Sequence, residues 1–488
     1  MTKNNVKIFS CLLILAVLLA SGILVYAQRH PSELKKPEPI KFTPPSVQKL
    51  KAQKGILVYF LEDRELPVVN MIGYFKGGSL YEPPDKTGLA SLTGTVTRTG
   101  GTPKMTGDQI DEELEFLAAR VETSISSEFA TASLSCLKKD FNRVLEIYAD
   151  VLTSPVFAQD KIDLARNQTK ETIRRRWDTP RSVANLIFNE KLYRAESPYA
   201  RRTSFSSLDK ITREDLIAFH KKYFAPNNLI IGITGDISSV EAQNLLNKVF
   251  KDWNPKKIEF PQVPAVKDEV KRSVYYVYKD TPQANIALGH LGVRRNNPDE
   301  YKLEVMNYVL GGGGFGSRLM RELRSNRGLT YGIYGGVYEG KDRGPFSIGS
   351  TLRAESIGES LSLIEDIIKS MQADLIKDDE MEEAKNYMIN SFVFTFESKT
   401  SILSQKIIYS LMGYPEDYLE KYIDNIKKVT KDDVLNVAKK YMDTGRMMII
   451  VVGDKKRFDK PLENFGKVEE INLQGIIDKE RTGAAPVK

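Results

Sequence analysis

Two segments of the chain, ITREDLIAFHKKYFAPNNLIIGITGD at 211–236 and VTKDDVLNVAKKYMDTGRMMIIVVGD at 429–454, superimpose without a gap at an offset of 218 residues. Thr212 pairs with Thr430, Asp215 with Asp433, Lys222 and Tyr223 with Lys440 and Tyr441, and Gly235 and Asp236 with Gly453 and Asp454. Each copy starts with a threonine suited to cap a helix, runs through an amphipathic helix to Lys-Lys-Tyr, and returns through an apolar strand to a Gly-Asp turn. A match that preserves this order of elements marks a duplicated domain, whose shared residues are mostly scaffold. The 488-residue length then divides into two α+β halves of about 210 residues each, within the ordinary domain range.

The boundaries follow from composition. Residues 8–27, IFSCLLILAVLLASGILVYA, are twenty uncharged and mostly apolar positions behind Lys3 and Lys7, so 1–27 is an export signal or a membrane anchor. Either way the bulk of the chain is expected in the periplasm or on the extracytoplasmic face of a membrane. Residues 28–54, rich in proline and lysine, read as an extended tether. The first half is expected at 55–253, beginning with the strand-like ILVYFLED and PVVNMIGYF. A linker rich in proline and charge follows at 254–272, the second half at 273–465, and a loose tail at 466–488.

A net charge of +7, with no basic cluster outside the tether, gives no reason to expect nucleic acid. Of the two cysteines, Cys11 lies in the leader, which leaves Cys136 without an intrachain partner in the body; its apolar surroundings suit a small buried hydrophobe. The three histidines, His30, His220 and His290, are far apart in sequence and form no short-spaced metal motif.

The run GGGGFGSRLMRELRSNRGLTYG at 311–332 contains the spacing of a dinucleotide fingerprint. That reading fails on context: Leu303, Met306, Val309 and Leu310 give the preceding segment a helical period, whereas the fingerprint requires a strand there. A phosphate-gripping loop is excluded because no Gly-Lys-Ser/Thr ending follows.

Taken with GGSLYEPPDKTGLA at 77–90, ESPYARRT at 196–203 and the two repeated segments, this run resembles the pitrilysin (insulinase-like) zinc peptidases over nearly all of residues 50–460. The resemblance implies an α+β fold of two homologous halves, each an antiparallel-rich sheet packed by helices, as in the mitochondrial processing peptidase. In active members the Gly-Leu-Ala segment leads into an H-x-x-E-H helix that binds zinc and activates water. The corresponding positions here are Ser91, Gly94 and Thr95; hydroxyls are poor zinc ligands beside imidazole, and glycine cannot act as a base. Glu171 lies near the family's third ligand position but out of register, and reads as a solvated helix residue. The resemblance therefore implies no catalytic residue and no cofactor in this chain, with zinc held by a partner subunit.

Arg324 and Tyr331, by contrast, match the arginine and tyrosine that contact the peptide beside the scissile bond in related enzymes. Both carry hydrogen-bond donors suited to a carbonyl or an oxygen gaining charge. On the residues alone, Arg324 equally suits a charged helix with Arg321, Glu322 and Arg327, and Tyr331 a half-buried strand position. Gly312 and Gly313 suit a loop that lets a peptide backbone approach closely, or a plain helix connection. The resemblance implies a non-catalytic, substrate-binding subunit of an exported two-chain zinc peptidase. Its partner would be a homologous H-x-x-E-H subunit and its substrate peptides or unfolded polypeptides. The alternative is a structural or peptide-binding envelope protein with no role in hydrolysis.

Overall fold

The computed structural model describes residues 45–482; the apolar leader and the tether up to residue 44 lie outside that range. The first sheet is built from β1 (Gln48–Lys51), β2 (Leu57–Glu62), β3 (Val68–Lys76), β4 (Arg120–Ile125), β5 (Phe129–Leu137) and β6 (Leu229–Gly235), in the order β1-β2-β6-β3-β5-β4. The second contains β7 (Ser273–Tyr278), β8 (Gln283–Leu291), β10 (Thr330–Val337), β12 (Pro345–Arg353), β13 (Met448–Gly453) and β14 (Val468–Glu470). Its order, read from the β14 edge, is β14-β7-β13-β8-β12-β10. A two-stranded ribbon pairs β9 (Val293–Arg294) with β11 (Glu339–Gly340).

Five strands of each sheet follow the same order, β2-β6-β3-β5-β4 and β7-β13-β8-β12-β10, which is the duplication seen as topology. β2 lies parallel to β6 as β7 does to β13, and the other inner pairs are antiparallel. The edge partners differ: β1 runs antiparallel to β2, whereas β14 runs parallel to β7. The repeated helices, Arg213–Tyr223 and Lys431–Tyr441, begin in matching capping boxes. Asp215 N donates to Thr212 Oγ1 at 3.3 Å and Thr212 N to the Asp215 carboxylate at 2.8 Å; the Thr430 and Asp433 pair gives 3.1 and 3.0 Å. Two orphan donors are satisfied at each helix start, which explains why these residues recur in both copies.

β6 and β13 are buried along almost their whole length, because helices cover both faces of each sheet. One face packs on helices of its own half, such as Phe141–Thr153 in the first and Ile357–Ala373 in the second. The other face receives a helix from the opposite half. Helix Pro180–Tyr193 sets Val183, Ile187 and Leu192 against Val277, Ala287, Ile450 and Val452 of the second sheet. Helix Lys399–Met412 sets Leu403 and Ile407 against Tyr59 and Tyr74 of the first. Each buried aliphatic side chain in these seams contributes about 2 kcal/mol.

Two boundary expectations are corrected. The tether stops short of 54, since β1 already pairs with β2 through Gln48 opposite Phe60 and Leu50 opposite Val58. Residues 466–482 are not loose, and the last six positions of the expected tail lie outside the described residues. The described stretch adds β14 to the second sheet and then forms helix Leu473–Thr482, whose Leu473, Ile476 and Ile477 pack beside Trp177 and helix Pro180–Tyr193. Glu480 accepts from Trp177 Nε1 at 2.7 Å and pairs with Arg202 at 3.2 Å, tying the tail to the first half.

Candidate functional site

Helix Leu89–Thr99 carries the three positions where a zinc box would lie. Ser91 and Thr95, four apart, both face solvent, as two ligands on one helix face would. Gly94, about 60° round the helix from Ser91, lies against β4. A Cβ built there would meet the backbone nitrogen of Ile125 at 2.5 Å and the carbonyl carbon of Ser124 at 2.9 Å. The helix is held in that seat by Thr123 Oγ1, which donates to Gly94 O at 2.7 Å, and by Arg98 Nε, which donates to Val121 O at 3.1 Å. At the helix start, Glu82 accepts from Gly88 N at 3.1 Å and Ala90 N at 3.0 Å, and burial raises its carboxyl above the usual range against those bonds. The GGSLYEPPDKTGLA motif thus holds the helix in place by capping it.

This donor set does not fit zinc. Two exposed hydroxyls replace imidazoles, and the base position admits no side chain without moving a strand. Glu171 is exposed on helix Gln159–Arg175 and forms an ion pair with Arg174. Among the described residues, no group of three or more His, Cys, Asp or Glu is placed to hold a metal ion.

The two described histidines sit inside the fold. His220 bonds Leu152 O through Nε2 at 3.1 Å and stacks on Phe224 with centroids 4.4 Å apart; burial holds its pKa down at about 3. His290 accepts from Asp443 N on Nε2 at 2.9 Å, which assigns the proton to Nδ1, 2.9 Å from Leu291 O. Cys136 is buried in the first core, and desolvation pushes its thiol up to about 12, so it is no nucleophile.

The second half presents a different surface. Helix Glu300–Asn307 runs on into a π-helical turn, Tyr308–Gly312, followed by a tight turn at Gly314–Gly316 and a second π-helical segment, Met320–Asn326. This differs from a strand-turn-helix phosphate loop. Gly311 is where contact forbids a side chain: its Cβ would lie 2.6 Å from Gly335 N of β10. Gly313 packs against the Tyr308 ring, whereas Gly312 is exposed. Nearby, Asn307 closes the free edge of β10, accepting from Val337 N at 2.7 Å and donating to Val337 O at 2.8 Å.

Arg324 projects from the second π-helical segment between two rings. Its guanidinium carbon is 4.4 Å from the centroid of Phe315 and 4.3 Å from that of Tyr331. Both rings are solvent-facing, Phe315 at 62% and Tyr331 at 85% exposure, so packing alone does not account for them. The neighbouring arginines are spent on carboxylates, Arg318 and Arg321 on Glu380 and Arg327 on Glu359. Arg324 has no carboxylate partner among the described residues, and stacking leaves its donors in plane and available.

Tyr331 is turned outward by a bulge. Thr330 opposes Leu352 and Ile333 opposes Ser350, so an extra residue interrupts the β10–β12 ladder. Thr330 Oγ1 accepts from Gly332 N at 3.0 Å and donates to Thr351 O at 2.7 Å, while Ser350 Oγ donates to Gly332 O at 2.9 Å. The sequence singles out Arg324 and Tyr331 as candidates, and it does not single out Phe315 or the 56% exposed Tyr334. The available signal was a lone phenylalanine among loop glycines, where no core period calls for it.

Residues 60–202 match the family model Insulinase (Peptidase family M16), and 210–388 match Peptidase M16 inactive domain. A Helicobacter pylori relative named Non-peptidase homolog YmxG is 25% identical over 408 residues, covering 83% of this chain and 93% of the relative. A Bacillus subtilis relative named Uncharacterized zinc protease YmxG is 23% identical over 395 residues, covering 80% and 95%. The crystal structure of a peptidase M16 inactive domain from Pseudomonas fluorescens superimposes with a TM-score of 0.75 at 29% identity, over 84% of this chain and 98% of that one.

Proposed function

The chain belongs to the insulinase (M16) peptidase family, and from that membership we propose that it is the non-catalytic, substrate-binding subunit of an exported two-chain zinc peptidase. Its partner is a homologue bearing H-x-x-E-H, which supplies the zinc and the activated water. This chain supplies Arg324 and Tyr331, with Gly312 and Gly313 beside them, as contacts to an extended peptide. The observation that carries the reading is the contrast between the halves: Gly94 is closed by the backbone of β4, while Arg324 stands unpaired between two exposed rings. Hydrogen-bond donors fixed before substrate arrives stabilise developing oxyanion charge without reorganisation, which suits them to act opposite a partner's nucleophile. The apolar run at 8–27 supports export; among the described residues no helix is long and apolar enough to cross a membrane.

The test is peptide turnover by the assembled pair. Arg324→Ala is expected to lower kcat about 100-fold, as loss of one oxyanion donor does, with assembly intact on size-exclusion chromatography; unchanged turnover removes the assigned role. A second reading, a peptide-binding or structural envelope protein without part in hydrolysis, is favoured by the name Non-peptidase homolog carried by the Helicobacter pylori relative. A stable complex that lacks any peptidase subunit would select it.

A further inference from the structure

A cleft of about 380 Å³ opens where the first half, the linker and the second half meet. Its walls are cationic on both sides. β3 ends at Lys76 and the next turn carries Tyr81, while the β9–β11 ribbon, with Gly340 opposite Arg294, brings Arg294 and Lys341 to the same rim. Two bridges between the halves fix its shape in advance. Arg295 grips Glu128 bidentately at 2.6 and 3.1 Å with both side chains about 15% exposed, and Lys341 Nζ donates to the Tyr81 hydroxyl at 2.7 Å.

The charges in this cleft do not balance. Glu128 is the one carboxylate in its wall and is already neutralised by Arg295. Lys76, Arg294 and Lys341 remain, none with a carboxylate partner among the described residues. Like charges held together around a shared space are relieved by an anion placed between them. Beside them Tyr81 and Phe260, ring centroids 5.4 Å apart, form an aromatic wall.

We infer that this cleft binds the free carboxylate end of a peptide. The Arg294 guanidinium forks onto the two carboxylate oxygens, Lys76 and Lys341 add charge, and the terminal side chain lies against Tyr81 and Phe260. Phosphate presents the same charge and acceptor oxygens without an apolar side chain, so the two sources can be told apart. The choice of a peptide rests on the function proposed above; the charge and the fixed geometry do not.

The experiment is calorimetric titration of the full chain, without any partner, at low ionic strength. The probes are acetyl-Ala-Ala-Phe as the free acid, the same peptide as the C-terminal amide, and inorganic phosphate. The free acid is expected to bind at least tenfold more tightly than the amide, and Arg294→Ala and Lys76→Ala are each expected to weaken it about fivefold to tenfold. Both substituted positions are exposed, and thermal melts verify that the variants fold. Equal binding of acid and amide, no binding of either, or indifference to Arg294→Ala overturns the proposal. Phosphate binding as tightly as the peptide acid would make this an inorganic anion site and overturn the peptide assignment. Since no partner is present, failure here leaves the two-chain reading intact, and failure to find a partner leaves this titration meaningful.

Discussion

At the scale of single residues, the lost zinc box is a matter of backbone position as well as side-chain chemistry. His at 91 and 95 projects into solvent and is expected to cost within about 0.5 kcal/mol, as exposed substitutions do. Gly94→Ala, whose Cβ would meet Ile125 N at 2.5 Å, is expected to cost about 1–3 kcal/mol by overpacking, read from chemical denaturation. The triple change Ser91→His, Gly94→Glu, Thr95→His is accordingly expected to yield less than stoichiometric zinc by elemental analysis; full occupancy with an unchanged melting curve would refute this. A second residue-scale effect is pH-dependent. Burial pushes the Glu304 carboxyl up to about 7; the Tyr422 hydroxyl, donating at 2.6 Å, opposes this and Glu339 reinforces it. Between the ordinary value of 4.5 and about 7 the folded chain holds a proton that the unfolded chain has released, so stability falls as pH rises through that window. Glu304→Gln is expected to gain about 1–3 kcal/mol over the unmodified protein at pH 8 relative to pH 5. An equal difference at both pH values would contradict the assignment.

At the scale of elements, the repeated helix and strand were legible because capping residues and a switch from helical to strand periodicity are local signals. Thr212 and Thr430 cap as their spacing requires. The outer strands and the tail were not legible. β1 is four residues long and β14 three, with mostly exposed side chains, so neither carries an alternation that sequence alone can detect. Helix Leu473–Thr482 is stabilised by Trp177 and Arg202, hundreds of residues away. Removing residues 471–488 is expected to lower the melting temperature by about 1–2 °C, the size of shift that about 1–2 kcal/mol produces in a chain this long; an unchanged melt would mean that the tail helix adds nothing. The Arg324 site was half legible. A motif at fixed spacing named Arg324 and Tyr331, but the ring of Phe315 joins them only through the turn at Gly314–Gly316.

At the scale of the whole molecule, the exchange of helices makes the halves interdependent. The described residues, 45–482, form one compact unit. A half expressed alone would leave one face of its sheet bare, so fragment 45–253 is expected to aggregate, and co-expression with 273–482 to restore a soluble complex. Within the intact chain, Ile407→Ala in the exchanged helix is expected to cost about 3–4 kcal/mol through the cavity it leaves. The duplication itself could be read from sequence, but the exchange could not, because a helix that is apolar on one face does not record which sheet it covers. An exchanged pair of halves also gives a rigid frame, which suits a subunit that presents fixed groups to a substrate held partly by another chain. The proposed function requires that such a chain exists. Affinity purification of the full protein from its native envelope, followed by mass spectrometry, tests it most directly. A near-equimolar homologue carrying H-x-x-E-H is expected to co-purify; recovery of the protein alone, or with unrelated proteins only, would mean that it does not work as a paired subunit.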